Sequence, residues 1–218
     1  MDSVSGVGVI DKGVLLLQAL RARPLDLTEL QQASGLPRAT VHRLAVALEM
    51  HHLVRRDGHG RFCLGFELVA LGRAAADQFG LGELARPSLE ALRRTSGESV
   101  QLYVREDSGR RCVVSLQSPH ALRWIVPEGS LLPLELGSAG RVLADSVGQQ
   151  GWVESVEERE PGVASVSAPV HDRRDAVVAA VSISGPVERL TRAPGERFGT
   201  EVIAAAAEVS ALLARLPD

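Results

Sequence analysis

The stretch Ser34–Gly65, SGLPRATVHRLAVALEMHHLVRRDGHGRFCLG, decides how the first part of this chain is read. Gly35 stops one helix, and Pro37 suits the first turn of another because its fixed φ is already helical and its missing N–H has no bond to make there. Val41, Leu44, Ala45 and Leu48 then fall at i, i+3, i+4 and i+7, the buried stripe of a 3.6-residue repeat. On that wheel Ala39, Thr40, Arg43 and Ala47 point away from the core, with Arg38 and His42 on the flanks. LVRRDGHGRFCLG follows as two short strands around a Gly-rich turn, with Arg55, Arg56 and Arg61 beside it.

Upstream, apolar residues from Val9 to Leu20 crowd one helix, and DLTELQQASG starts a second near Asp26 or Leu27 that ends at Gly35. Helix, helix-turn-helix and basic hairpin make a winged helix-turn-helix. The net charge of −3 hides an asymmetry: residues 1–75 hold nine Lys/Arg against seven Asp/Glu, whereas residues 76–218 hold 15 against 20. Five arginines stand against Glu49 and Asp57 within residues 35–65, beside His42, His51, His52 and His59. Such a patch is the footprint of a surface meeting phosphates. A face of small residues carrying arginines fits a major groove, where Arg43 reaches a guanine edge and Thr40 or Arg38 holds phosphates. A single arginine-bearing helix is more often a plain solvated face. Here helix, glycine turn and basic hairpin agree in order and spacing, which favours double-stranded DNA as the partner.

A chain of 218 residues with 45% hydrophobic and 23% charged residues is expected to form two domains. It shows no signal segment and no membrane-length apolar run, so a cytoplasmic location without membrane contact is expected. Cys63 and Cys112 are isolated in strand-like patterns and read as core residues. The histidines are scattered, so neither a metal nor a cofactor is expected. The expected fold class is α+β: a winged helix-turn-helix over residues 1–65, a joining helix over 66–79, and an α/β domain over 80–218. In that last part GFELVALGRAAADQ and ELARPSLEALRRTSG read as helices, and SVQLYVRED and RRCVVSLQS as strands joined through Asp107–Gly109. SAGRVLAD reads as a short helix, VASVSAPVHD and AVVAAVSISG as a strand pair around DRRD, and GERFGTEVIAAAAEVSALLARL as a C-terminal helix. Ser165 and Ser167 alternate on one strand and Ser182 and Ser184 on the next, so each pair projects from one face. Four hydroxyls there make either a polar floor for a small carboxylate-bearing ligand or an ordinary solvated sheet, and the sequence weights the two evenly.

LTELQQASGLPRATVHRLAVALEMHHLVRRDGHGRFCLG resembles the N-terminal domain of IclR-type transcriptional regulators, and EREPGVASVSAPVHDRRDAVVAAVSISGPVERLT resembles the hallmark of their effector-binding domain. The resemblance covers nearly the whole chain, and its nearest likeness is an actinobacterial branch associated with leucine and other amino-acid metabolism. It implies a GAF-like second domain, a repressor modulated by a small organic acid or amino-acid-related metabolite, and homodimers that often pair into tetramers. It also implies that the four serine positions line an effector pocket with Ser138, Ala139, Gly140 and Ser155, and that Leu132 and Leu134 form its apolar wall. Pairing follows independently from geometry, because one winged helix buries too little surface for tight specific binding and a two-fold dimer occupies two half-sites. The chain departs from the family at one place. Some two dozen residues usually separate the counterparts of GRVLAD and GWVESVEEREPG, whereas SVGQQ is nearly all that does so here. Either part of the pocket's cover is lost, or the numbering runs across an omitted loop.

Two other classes compete. Ser167 or Ser182 with His171 and Asp172 would make a hydrolytic triad, but adjacent residues on a strand face opposite sides and no nucleophile elbow surrounds either serine. A sequence-nonspecific architectural DNA binder would share the basic face. It would not protect a discrete palindrome.

Overall fold

The computed structural model describes residues 7–107 and 109–216, and the chain divides into two compact units, Met1–Gln78 and Phe79–Asp218. Ser108, in the turn expected through Asp107–Gly109, lies outside the described residues, as does the start of the expected first domain.

The first unit packs α1 (Gly8–Ala19), α2 (Leu27–Ser34) and α3 (Arg38–Met50) beside a hairpin of β1 (Val54–Arg56) and β2 (Phe62–Leu64), and α4 (Glu67–Phe79) follows. Leu16 and Leu20 from α1, Leu30 from α2, Val41, Leu44 and Ala45 from α3, and Val54 and Phe62 from the hairpin share one core. Burial of these side chains, each worth roughly 1.5–3 kcal/mol when large and apolar, holds the three helices together. The hairpin joins that core through Leu25, whose backbone exchanges two hydrogen bonds with Phe62 at 2.8 and 2.9 Å.

The second unit is built on one antiparallel sheet in the order β5-β4-β3-β8-β7-β6. Its strands are β3 (Ser99–Glu106), β4 (Gly109–Leu116), β5 (Leu131–Leu132), β6 (Val153–Val156), β7 (Val163–His171) and β8 (Val177–Pro186). Two long helices, α5 (Leu81–Ser96) and α8 (Pro194–Leu213), cover one face. Short α6 (Ser138–Leu143) lies on the other, and α7 (Val187–Leu190) follows β8. Strand alternation sorts the side chains. Val100 and Leu102 of β3, Val166 and Ala168 of β7, and Val181 and Ile183 of β8 pack beneath the long helices. Tyr103, Cys112, Val153 and Ala180 pack with α6 on the opposite side.

β4 carries an irregularity that decides which residues face α6. Its register runs Leu102↔Val114 and then Tyr103↔Cys112, so Val113 is an extra residue against β3. The bulge switches the alternation: Val114 belongs to the core under the long helices, while Cys112 belongs to the cluster around α6. Arg110, two residues before Cys112, is thereby carried to the α6 side. Between α6 and β6 the connection is short and locally bonded, with Ser146 N–H donating to Arg141 O and Gly151 N–H to Gly148 O.

Candidate nucleic-acid interface and ligand cavity

The helix-turn-helix is fixed by local chemistry. Asp26 Oδ1 accepts from the Thr28 and Glu29 N–H groups at 2.8 and 2.9 Å, and Glu29 Oε2 accepts from Asp26 N–H at 2.9 Å, a reciprocal capping box at the start of α2. Gly35, at φ 65°, ends α2 in a left-handed turn that a side chain would strain. Pro37 is the residue just before α3 rather than part of it. Arg38 Nη1 donates to Thr28 Oγ1 at 3.1 Å and ties α3 back to α2. Of the residues assigned to the reading face, Arg38, Ala39, His42 and Arg43 are exposed and Thr40 is half-buried.

The hairpin separates three arginines that the sequence groups together. Arg61 is bound to Asp57, Nε to Oδ2 at 2.8 Å, while Asp57 Oδ1 accepts from the His59 and Arg61 N–H groups. Partial burial pushes the Asp57 carboxyl up, but the Arg61 side chain, these N–H groups and the Arg61 charge outweigh it and hold the pKa at about 2. Arg56 lies over the Phe62 ring and reaches Glu49 at 3.3 Å. Arg55 lies 5.1 Å over the Phe66 ring and has no acidic partner among the described residues. Arg61 and Arg56 thus partly serve to shape the hairpin, and Arg55 carries the least compensated charge.

In the second unit, the α6 side of the sheet holds a cavity of about 410 Å³ including its open mouth. Ser138 and Ala139 of α6, Ser155 of β6, Ser165 of β7, and Ser182 and Ser184 of β8 all line it. The serine face is therefore covered: Ser138, Ser155, Ser182 and Ser184 are buried, which removes the solvated-sheet alternative. Ser138 Oγ lies 2.7 Å from both Ser165 Oγ and Ser167 Oγ, and Ser167 donates to Ser182 at 2.9 Å. Ser184 donates to Gln101 Oε1 at 2.8 Å, and Gln101 Nε2 has no hydrogen-bond partner among the described residues.

Four assigned residues sit differently. Ser167 is fully buried within the hydroxyl chain, and Leu132 and Leu134 pack partly buried against the α6 cluster behind the cavity. Gly140 lies under the Leu134 carbonyl and the Arg110 guanidinium, where a Cβ would meet them at 2.1 and 2.6 Å. The walls that the sequence did not mark are Tyr103, Arg110, Trp124, Gly137, Arg159, Glu160 and Val163. Burial raises the Tyr103 hydroxyl above its ordinary range, so it stays neutral. Burial likewise pushes the Cys112 thiol up to about 12. Cys112 is an inert core thiol. His171 and Asp172 form no triad: Asp172 Oδ1 accepts from Arg174 and Ala176 N–H in the β7–β8 turn, while Ser167 and Ser182 bond within the serine chain. No group of His, Cys, Asp and Glu among the described residues could hold a metal ion, and no described helix is long and apolar enough to cross a membrane.

The sequence profile of the IclR helix-turn-helix domain matches residues 9–58, and that of the bacterial transcriptional regulator IclR C-terminal domain matches residues 73–146 and 144–211. The chain is 30% identical over 236 residues to a glycerol operon regulatory protein of Streptomyces griseus, covering 93% of this chain and 92% of that one. It is 27% identical over 222 residues to the transcriptional repressor IclR of Escherichia coli strain K12, covering 84% and 81%. The first alignment is longer than this 218-residue chain, so it opens gaps in this chain. By fold it matches an IclR transcriptional regulator of Alicyclobacillus acidocaldarius with a TM-score of 0.80 at 22% identity, covering 95% and 99%. It also matches an IclR homolog of Microbacterium hydrocarbonoxydans complexed with 4-hydroxybenzoate, with a TM-score of 0.80 at 18% identity, covering 94% and 98%. With both domains matched and the fold shared, the chain belongs to the IclR family of bacterial transcriptional regulators.

Proposed function

We propose that this regulator is a repressor whose hold on a discrete operator is changed by a small organic acid bound in the cavity of the second unit. Residues 1–65 read DNA, the helix over 66–79 joins the parts, and residues from 80 onward sense the ligand. The observation that carries the reading is the exposed face of α3. Arg43 and His42 have neither a hydrogen bond nor an ion pair among the described residues, so their donors are available to base edges. Arg55 and Arg61 at the hairpin and Arg38 on α3 then hold phosphates, positioning the helix. Repression is supported by the relatives named as repressors, and the ligand by a covered cavity with hydroxyls and cationic side chains in its wall. Several relatives are named for glycerol and acetate operons rather than amino-acid metabolism, so the ligand is left at its chemical class. The protein works as a homodimer in the cytoplasm. Exposed Val9, Ile10 and Val14 on α1 and Phe66, Val69 and Leu71 at α4 supply apolar surface for pairing.

The test is operator titration with the full chain and Arg43→Ala. The substitution should leave the circular dichroism spectrum unchanged and cost about 1–3 kcal/mol of specific affinity. Unchanged affinity removes α3 from the base-reading role. Footprinting should show one protected palindrome, whereas uniform protection makes the chain an architectural binder.

A further inference from the structure

Arg110 is the one arginine of the second unit that is nearly sealed from solvent, at 3% exposure, and it makes no salt bridge among the described residues. A buried guanidinium ordinarily has a carboxylate beside it, because taking a full charge out of water is costly unless it is paired. Here Nη1 donates to the backbone carbonyls of Pro133 and Leu136, the latter at 2.7 Å, and Nε has no hydrogen-bond partner among the described residues. The Tyr103 ring lies 5.4 Å from the guanidinium carbon. Glu135, a carboxylate whose charge is felt at Arg110, is exposed and forms no ion pair with it. The second cation of the cavity wall, Arg159, stacks 5.1 Å over the Trp124 ring and also lacks an ion pair among the described residues.

The surroundings are shaped to receive this side chain. The bulge at Val113 delivers Arg110 to the cavity side. Gly137 at φ 83° and Gly140 then leave room for its terminal nitrogens, since a Cβ would stand 3.3 Å from Nη2 at the first and 2.6 Å from Nη1 at the second. Two glycines, a bulge and two carbonyl oxygens hold a cation against a cavity whose wall includes Arg159 and, as its one acid, Glu160.

We propose that Arg110 is the anion-binding residue of the cavity: its guanidinium faces the carboxylate of the bound ligand and supplies the missing counter-charge. This rests on the reading of the cavity as an effector site and adds the residue that selects a carboxylate over a neutral isostere. The hydroxyl face of Ser165 and Ser182 then contacts the remainder of the ligand.

The experiment titrates the full-length protein, free of DNA, with formate, the smallest carboxylate, against chloride at equal ionic strength. The readout is the ¹⁵Nε–¹Hε resonance of Arg110, assigned by its loss in Arg110→Gln. The expected result is a saturable shift of this resonance with formate and none with chloride. In the same titration the thermal stabilisation by formate should weaken about 10- to 100-fold in apparent affinity in Arg110→Gln. If the Arg110 resonance is unmoved, or only that of Arg159 responds, Arg110 is a purely structural clamp on the 133–136 loop and the proposal is overturned. If Arg110→Gln fails to fold, loss of the resonance in Arg110→Lys supplies the assignment, and the wild-type titration then decides. Because no operator is present, failure of the proposed DNA function would leave the formate result standing.

Discussion

Ser138 is the node of the hydroxyl chain, and replacing it by alanine tests whether that chain fastens α6 to the sheet. Its Oγ lies 2.7 Å from both Ser165 and Ser167, and the residue is 2% exposed. Each such hydrogen bond contributes a net ~0.5–1.5 kcal/mol, so losing two should lower the unfolding free energy by about 1–3 kcal/mol. Ser165→Ala removes one of the two, and Ser165 is half-buried, so that change should fall at the lower end. The double substitution should cost less than the sum of the singles by about the worth of the shared bond, ~0.5–1.5 kcal/mol. Tryptophan emission during urea unfolding is the assay, because the two tryptophans, Trp124 and Trp152, both lie in the second unit. A Ser138→Ala protein within about 0.5 kcal/mol of the parent, or strictly additive singles, would refute the fastening.

Two further outcomes follow from local geometry. Asp57 has a native pKa of about 2, below its ordinary 3.8, so its support of the hairpin is complete above the higher value and is lost as pH falls through the lower one. Asp57→Ala at neutral pH should therefore speed amide exchange of His59 and Arg61, and unchanged exchange would mean that the turn holds itself. Gly140→Ala places a Cβ 2.1 Å from the Leu134 carbonyl and should destabilise by about 1–3 kcal/mol or more, whereas Gly72→Ala on α4 meets nothing within 4 Å and should stabilise by ~0.5–1 kcal/mol. Thermal melts of the pair should move in opposite directions; a common direction contradicts the packing.

The first unit was legible because its signals are local. Asp26, Glu29 and Gly35 cap and stop α2 within a few residues of chain, and Val41, Leu44 and Ala45 repeat at helical spacing, so sequence and structure meet residue by residue. The serine face was legible for the same reason, since alternation along β7 and β8 fixes which side Ser165, Ser167, Ser182 and Ser184 share. What alternation cannot supply is the cover. Whether a strand face is wet or closed depends on α6 and on Trp124 and Arg159, which arrive from distant loops. Arg110 was hidden more deeply. Counted by twos from Val114 it belongs under the long helices, and only the extra residue at Val113 sends it to the other side. The three hairpin arginines looked equivalent because nothing in their spacing reveals that Asp57 and Glu49 each claim one.

The hydroxyl chain also has a direction. A hydroxyl has a single proton to give. Ser167 donates to Ser182, so Ser138 must donate to Ser167 and Ser165 to Ser138. Every proton between the two ends is then committed, and the ends are unlike: Ser165 offers lone pairs to the cavity, while Ser182 keeps an O–H to give away. A ligand meets a donor at one end and an acceptor at the other. Turned end for end, it would have to reverse every hydroxyl in the row together, so four chemically identical serines answer a ligand's polarity as one unit.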